Sequence, residues 1–291
     1  MSSIKVGFIG LGNMGILMAR TLAKSRLPLT VYDLRQEAVD EMKSLGAIAA
    51  HSCREVAAHS DVIFSIVRDE PQNNEVIFGR EGIWQGIKEG STLIISSTVS
   101  PEYCRKLYVR AKEKGVQIVD APLSAESRNF TPGQESAVFT LMIGGDEDAV
   151  KRCMPVFEAL TKNIFHLGGI GSGQACKLVN NLASYGNAVF ARECLNIGLK
   201  AGLDFDQMVA AIRVSTGFSR GLSTLVRQLR RPLPVTSASG VKDHPKSLDD
   251  KDRDFALELA GAVGAETPLT RLMTGLDLEK VYDALNRISP E

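Results

Sequence analysis

One stretch near the start constrains the fold more than any other: Lys5-Val-Gly-Phe-Ile-Gly-Leu-Gly-Asn-Met-Gly15. The apolar run Val6 to Ile9 reads as a strand. It leads into Gly10-x-Gly12-x-x-Gly15 and then into a helical pattern from Ile16 to Lys24. A second apolar run ends at Asp33, eighteen residues after Gly15. Strand, glycine turn, helix, strand and acid together form the setting in which this spacing signals a dinucleotide. Gly10 permits the tight turn, Gly12 lets the backbone approach a pyrophosphate, and Gly15 lets helix and strand pack closely. The N–H groups of Leu11, Asn13, Met14 and their neighbours open the helix, where the dipole favours anions. The plainer alternative is an ordinary strand-to-helix turn.

Bulk properties narrow the class. The chain has 291 residues, room for one large or two ordinary domains. It is 44% hydrophobic and 23% charged, as expected of a globular protein. Lys plus Arg and Asp plus Glu are both 34, so there is no basic footprint for nucleic acid. Cysteines 53, 104, 153, 176 and 194 are scattered, without a C-x-x-C pair, which suits reduced thiols better than a disulfide framework. The four histidines lack metal-ligand spacing, so no metal site is expected. No apolar run is long enough to span a bilayer. The glycines of the N-terminal segment belong to the nucleotide turn, and no small-residue cleavage site follows, so the cytoplasm is expected rather than secretion.

Along the first half, short apolar strands alternate with helical patterns, the mark of a parallel α/β sheet. Strands are expected at Lys5–Ile9, Leu29–Tyr32, Val62–Ile66, Thr92–Ser96, Gln117–Asp120 and Ala137–Ile143. Helices are expected at Arg35–Leu45 and Pro101–Lys114, among others. Near residue 166 the texture changes. Glycines 168, 169, 171 and 173 crowd one segment, and a long helical pattern runs from Gln174 to Ala201. From there on only helices are expected, with Pro232–Asp249 as a loop. Leu178 to Ala191 carries no charge, which reads as a central, buried helix. The expected architecture is an α/β dinucleotide-binding domain over 1–165 and an all-α domain over 166–291. The cleft between two such domains is the natural place for a substrate.

Several residues in this frame can carry chemistry. Asp33 can accept ribose hydroxyls and repel a 2′-phosphate, favouring NAD, although Arg35 nearby leaves NADP open. Lys177 follows the glycine cluster and precedes fourteen uncharged residues. Burial and the positive helix end both disfavour a charged amine there, which suits proton exchange near neutral pH. Asn180 and Asn181 follow on the same helical face, and Asn181 can hold a hydroxyl or carboxylate. Ser124, at the end of Asp120-Ala-Pro-Leu-Ser124, and Thr98, at another strand end, lie on the sheet edge where ligands bind. Each also reads as a turn residue. Lys251-Asp252 is a cleft pair or an ordinary surface pair.

Taken in order, GFIGLGNMG, SSTVSP, DAPLS, GIGSGQACKLVNN and LDDKD resemble the β-hydroxyacid dehydrogenase family over nearly the whole chain. That family includes 3-hydroxyisobutyrate dehydrogenases and tartronate semialdehyde reductases and is related to 6-phosphogluconate dehydrogenase. The resemblance implies a Rossmann-type domain with a helical second domain, NAD or NADP as cofactor, and a homodimer or homotetramer. It implies Lys177 as general acid/base, Asn181 and Ser124 as contacts to a small hydroxy acid or semialdehyde, and Lys251 near the cofactor. The chain departs from the family where two glycines usually follow the serine. Ala125-Glu126 stand there, in a longer segment that also holds Arg128 and Asn129. A carboxylate there repels a simple anion, whereas Arg128 can clamp one at two points. Ile95 replaces the usual acid two positions before Ser97. The same architecture serves imine reductases, which carry another proton donor where Lys177 stands, and the longer dehydrogenases of phosphorylated sugar acids. A nucleotide-binding scaffold without turnover belongs to a different class, and the presence of Lys177 speaks against it.

Overall fold

A computed structural model describes residues 3–127, 137–230 and 248–276, together with 281, 282, 284, 285 and 288. The chain divides into two compact units, Met1–Lys177 and Leu178–Glu291. The first opens with β1 (Val6–Ile9), α1 (Asn13–Ala23), β2 (Leu29–Tyr32), α2 (Gln36–Ser44), β3 (Ile48–Ala49), α3 (Cys53–Ala58), β4 (Val62–Ser65) and α4 (Glu70–Phe78). It continues with β5 (Thr92–Ile95), α5 (Pro101–Lys112), β6 (Gln117–Asp120), β7 (Leu123–Ser127), β8 (Ala137–Gly145), α6 (Glu147–Leu160) and β9 (Asn163–His166). The long helix α7 (Ser172–Lys200) starts in this unit and runs on into the second.

The strands lie in the order β3-β2-β1-β4-β5-β6-β8-β7, with β9 beside β8. From β3 to β6 every pairing is parallel. The chain walks outward from β1 to β3, then crosses back to β4 and walks the other way. That reversal is the switch point where doubly wound sheets bind ligands. This half is the Rossmann arrangement.

Beyond β6 the wholly parallel expectation fails. β8 runs antiparallel to both β6 and β7. The reason is chain length: after the two residues Ala121 and Pro122 the chain runs on from β6 into β7 in the same direction, and only residues 128–136 connect β7 to β8, fewer than the dozen or more that a parallel crossover needs. The chain therefore steps outward into β7 and returns as β8 between them. β3, β7 and β9 are strands that the apolar pattern did not announce.

The central strands are buried on both faces, so they read as continuous apolar runs. Their period of two sorts the side chains into two cores. Val6, Phe8, Val62, Phe64 and Ile94 share one with Met18 and Leu22 of α1 and with Val156 and Phe157 of α6. Ile9, Ile63, Leu93, Ile95 and Ile118 share the other with Val56 of α3 and with Cys104 and Leu107 of α5. Phe8 stacks on Phe64 at 5.4 Å, and Phe157 meets Phe64 edge-on at 6.4 Å between centroids. Ile95 is thus a core residue.

The second unit is helical where it is described: the rest of α7, α8 (Phe205–Arg213), α9 (Arg220–Arg230), α10 (Leu248–Ala262) and α11 (Pro268–Thr274). Its core gathers Ala191, Leu195, Phe205, Val209, Leu222 and Leu225. The expected loop Pro232–Asp249 falls mostly outside the described residues. No described helix is long and apolar enough to cross a membrane. The buried-helix expectation for Leu178–Ala191 needs correction. Leu178, Val189 and Ala191 are buried, but Val179 is 63% and Phe190 67% exposed. Lack of charge there marks an apolar face that is left exposed among the described residues.

Two outcomes test this packing. At Gly15 an added Cβ would lie 2.1 Å from the Gly10 carbonyl oxygen, whereas at Gly12, with φ −60°, it would meet nothing within 4 Å. In urea unfolding, Gly15→Ala should therefore cost about 1–3 kcal/mol, the usual range for overpacking. Gly12→Ala should change stability by about 1 kcal/mol or less. The thiols give the second test. Burial pushes Cys53 up to about 12, Cys153 up to about 11 and Cys104 well above the ordinary thiol range. Cys194 is exposed and Cys176 partly so. At pH 8 a disulfide reagent should leave Cys53, Cys104 and Cys153 unreacted in the native protein and reach all five thiols in denaturant.

Candidate active site

The glycine turn sits at the switch point. Gly10 has φ +96°, in the left-handed region, and a Cβ there would lie 2.2 Å from the Ile66 carbonyl oxygen just past β4. Only glycine fits that backbone and that approach. Its N–H donates to the Tyr32 carbonyl at 3.1 Å, so the turn is stitched to the end of β2. Gly12 is the N-cap of α1 and makes no side-chain cap. The first N–H groups of α1, from Asn13, Met14 and Gly15, therefore point their donors and the helix dipole at whatever anion lies over Gly12. The residues present fit a dinucleotide pyrophosphate.

Asp33 has a role beyond the one its spacing suggests. Its Oδ2 accepts the Leu11 N–H at 2.6 Å, and its Oδ1 accepts the Arg35 N–H at 2.8 Å. One carboxylate thus fixes the glycine turn to the start of α2. Arg35 folds back over it, with Nε 3.3 Å from Oδ1 and a terminal nitrogen donating to the Leu11 carbonyl. The guanidinium is engaged in holding the turn.

At the ends of β5 and β6 a second network gathers. Ser97 is buried and its Oγ accepts the Val67 N–H at 2.8 Å. Thr98, half-buried, follows it. Ser100 caps α5 by accepting the Tyr103 N–H, and Pro101 occupies the first turn of α5. Asp120, the last residue of β6, is fully buried. Its Oδ1 accepts the Gly171 N–H at 2.6 Å, and its Oδ2 accepts the Gln174 N–H at 2.7 Å. These are the opening N–H groups of α7. Burial raises the Asp120 carboxyl above the ordinary carboxylate range, against the N–H bonds that hold it down. The sign follows: ionisation is penalised in the folded state, so this group's contribution falls as pH rises from its unfolded value through its folded one.

Lys177 lies one turn beyond Gln174 on α7, and Asn181 one turn further. Asn181 Nδ2 donates to Asp252 Oδ2 of α10 at 2.7 Å. A carboxylate only accepts, so this contact settles which way the amide points. Lys251 pairs with the same carboxylate at 3.4 Å. Lys251-Asp252 is therefore a partly buried cluster with Asn181 rather than a solvated surface pair.

Ser124 stands in β7, opposite Thr140 of β8. Ala125 and Glu126, the departure from the family pattern, continue that strand opposite Phe139 and Val138. The backbone that the resemblance assigns to a glycine pair is here an arm of the sheet. Arg128 lies outside the described residues. Of the residues singled out in the sequence, hydrogen bonds join Asp33 to the Leu11 turn and Asn181 to the Lys251-Asp252 pair. Three contributors escaped the sequence reading: Asp120 and Gln174 as the mooring of α7, and Asp33 as the anchor of Leu11. An acid directly after the apolar pair Ile118-Val119, at the end of a buried strand, was the one available signal for the first.

Among the described residues no group of three or more His, Cys, Asp or Glu is placed to hold a metal. Residues 5–168 match the NAD-binding domain of 6-phosphogluconate dehydrogenase, and residues 171–276 match the NAD-binding domain of NADP-dependent 3-hydroxyisobutyrate dehydrogenase. An NAD-dependent L-serine dehydrogenase of Pseudomonas aeruginosa is 32% identical over 94% of this chain and 90% of its own. A 2-hydroxy-3-oxopropionate reductase of Escherichia coli is 35% identical over 92% of this chain and 88% of its own. A 3-hydroxyisobutyrate dehydrogenase of Mycobacterium tuberculosis, solved with L-serine, superposes with a TM-score of 0.73 at 26% identity, covering 97% and 93% of the two chains. With the glycine turn at the switch point, the acid after β2 and a lysine on the long helix, the chain belongs to the β-hydroxyacid dehydrogenase family of NAD(P)-dependent oxidoreductases.

Proposed function

We propose that this enzyme interconverts a small β-hydroxy acid and its semialdehyde or keto acid, with Lys177 as the general acid/base and NAD as the preferred cofactor. The observation that carries the reading is the placement of Lys177 and Asn181 on one face of α7, just beyond the moored first turn. NAD(P) supplies the hydride acceptor when bound. Gly10, Leu11, Gly12, Asn13, Met14 and Gly15 would hold its phosphates, Asp33 its ribose, and Thr98 and Lys251 the nicotinamide end.

The protein's own residues do the rest. Neutral Lys177 takes the hydroxyl proton as the carbinol is oxidised and returns it in the reverse direction. Asn181, its amide fixed by Asp252, keeps the substrate in register with that amine. Ser124 donates to the substrate carboxylate, and Arg128 is a candidate second contact. Relatives whose names specify L-serine and 2-hydroxy-3-oxopropionate share a reacting carbon β to a carboxylate, and that is the class of substrate proposed here.

The cofactor preference rests on charge. A 2′-phosphate beside the Asp33 carboxylate meets a repulsion of about 1 kcal/mol if bulk water screens the pair and about 4 kcal/mol at the dielectric of a protein surface. That corresponds to about fivefold or more in favour of NAD. The five free cysteines and the balanced charge suit a cytoplasmic enzyme whose partners are a small acid and further copies of itself, rather than nucleic acid or membrane.

The test is reduction of NAD⁺ and NADP⁺ followed at 340 nm with L-serine, glycerate and 3-hydroxyisobutyrate. We expect turnover with at least one acid, NAD ahead of NADP, and a loss of about 10²–10⁴-fold in kcat for Lys177→Ala, the range of a general acid/base. Lys177→Ala with unchanged kcat and a raised KM would remove the acid/base assignment.

Self-association is argued from α7. Val179, Phe190 and Ile197, each more than 60% exposed, are spaced by eleven and seven residues and so fall on one stripe of the helix. A second copy covering that stripe completes its burial. Light scattering should give at least twice the chain mass, and Phe190→Asp should lower it to that of one chain. A wild-type monomer would refute the oligomer.

A further inference from the structure

Asp120 is an unusual cap. Helix starts are ordinarily capped by a nearby Ser, Thr, Asp or Asn at little cost. Here the first turn of α7 is held by a carboxylate from the end of β6, 51 and 54 residues away in sequence. Gly144 and Gly173 make room for it. A Cβ on either would lie 2.5 Å from Oδ1 or 2.8 Å from Oδ2. Burying that carboxylate is unfavourable, as its raised pKa reflects. A local cap would satisfy the same N–H groups without the penalty. What the distant cap adds is position: the helix start is fixed against a chosen strand end.

Gln174 extends the clamp. Its buried side chain donates from Nε2 to the Ser97 carbonyl at 2.8 Å and accepts the Val99 N–H at Oε1 at 3.2 Å. The amide therefore grips the backbone on both sides of Thr98. Asp120 itself begins the Asp120-Ala-Pro-Leu-Ser124 segment that carries Ser124 into β7. Two side chains thus tie three pieces together: the α7 turn before Lys177, the strand end bearing Thr98 and the strand bearing Ser124.

The geometry points to Asp120 and Gln174 as positioning residues for the reaction, holding Lys177 in register with Thr98 and Ser124. This rests on Lys177 being the acid/base, and neither residue needs to touch substrate. A misplacement of about 1 Å in such a constellation can cost about 100-fold in rate. Asp120→Asn replaces one acceptor with an NH₂ that faces an N–H donor, so one mooring bond is lost. Gln174→Leu removes the second clamp at nearly constant volume and without touching a charge.

Both variants, Lys177→Ala, and each variant combined with Lys177→Ala are compared, using the most active acid from L-serine, glycerate and 3-hydroxyisobutyrate. Melting curves and NADH binding by fluorescence report the fold and the cofactor site. We expect Asp120→Asn and Gln174→Leu to bind NADH within about threefold of wild type. Each should lose about 30–100-fold in kcat with a smaller change in KM. Added to Lys177→Ala they should cost nothing more, because they act through that lysine. Folded single variants with wild-type kcat would overturn the proposal, as would losses that multiply with that of Lys177→Ala. Failure of both variants to fold would make the pair structural and would also overturn it. Should Lys177→Ala alone keep full kcat, the acid/base reading falls, and the positioning role with it. Should Lys177→Ala lose kcat while the two clamp variants do not, only the positioning role falls.

Discussion

The carboxylate of Asp120 joins the sheet to the long helix, and Lys177, Thr98 and Ser124, the residues proposed to carry the chemistry, flank that junction in sequence. It accepts the opening N–H groups of α7 at 2.6 and 2.7 Å, in a place no water reaches. A buried carboxylate is expensive unless its lone pairs are filled, and here backbone donors and close glycines fill and surround it. The result is a first turn of α7 fixed to the ends of β5 and β6. Lys177 follows within one turn, so its direction is set by that turn, because in a helix each residue's direction follows from the one before.

The cofactor half obeys a similar logic. Gly10, Gly12 and Gly15 are usually described by what they allow: a turn, an approach and a close packing. The structure adds what holds them there. Asp33 grips the Leu11 N–H, Arg35 closes over both, and Gly10 is bonded to the end of β2. The residue expected to read the ribose is also part of the turn's frame. A substitution at Asp33 therefore alters two things together, and a change of cofactor preference there cannot be separated from a change in the turn.

Much of the fold was legible because each element carries its own periodic signal. The strands β1, β2, β4, β5 and β6 are apolar runs buried on both faces, and α1, α2, α5 and α7 begin or end within a few residues of their expected bounds. The glycine spacing and the acid after β2 located the nucleotide turn. The lysine and asparagines after the second glycine cluster marked the face of α7 that is proposed to be reactive. The antiparallel arm of β7 and β8 was hidden because pairing direction is decided by the length of chain between strands, not by their composition. The buried-helix reading of Leu178–Ala191 failed for a related cause: a missing charge shows that a surface is apolar, not which molecule covers it.

Local order was therefore set by the sequence itself: where strands and helices lie, where the glycine turn opens, and which residues carry reactive groups. Those properties depend on neighbours within one or two turns of chain. Only the tertiary structure decided that Asp120 caps α7, that Gln174 brackets Thr98, that Asp33 anchors Leu11, and that Asp252 orients Asn181. Each of these is one or two hydrogen bonds between residues separated by about 20 to 80 positions, and such bonds leave no periodic trace.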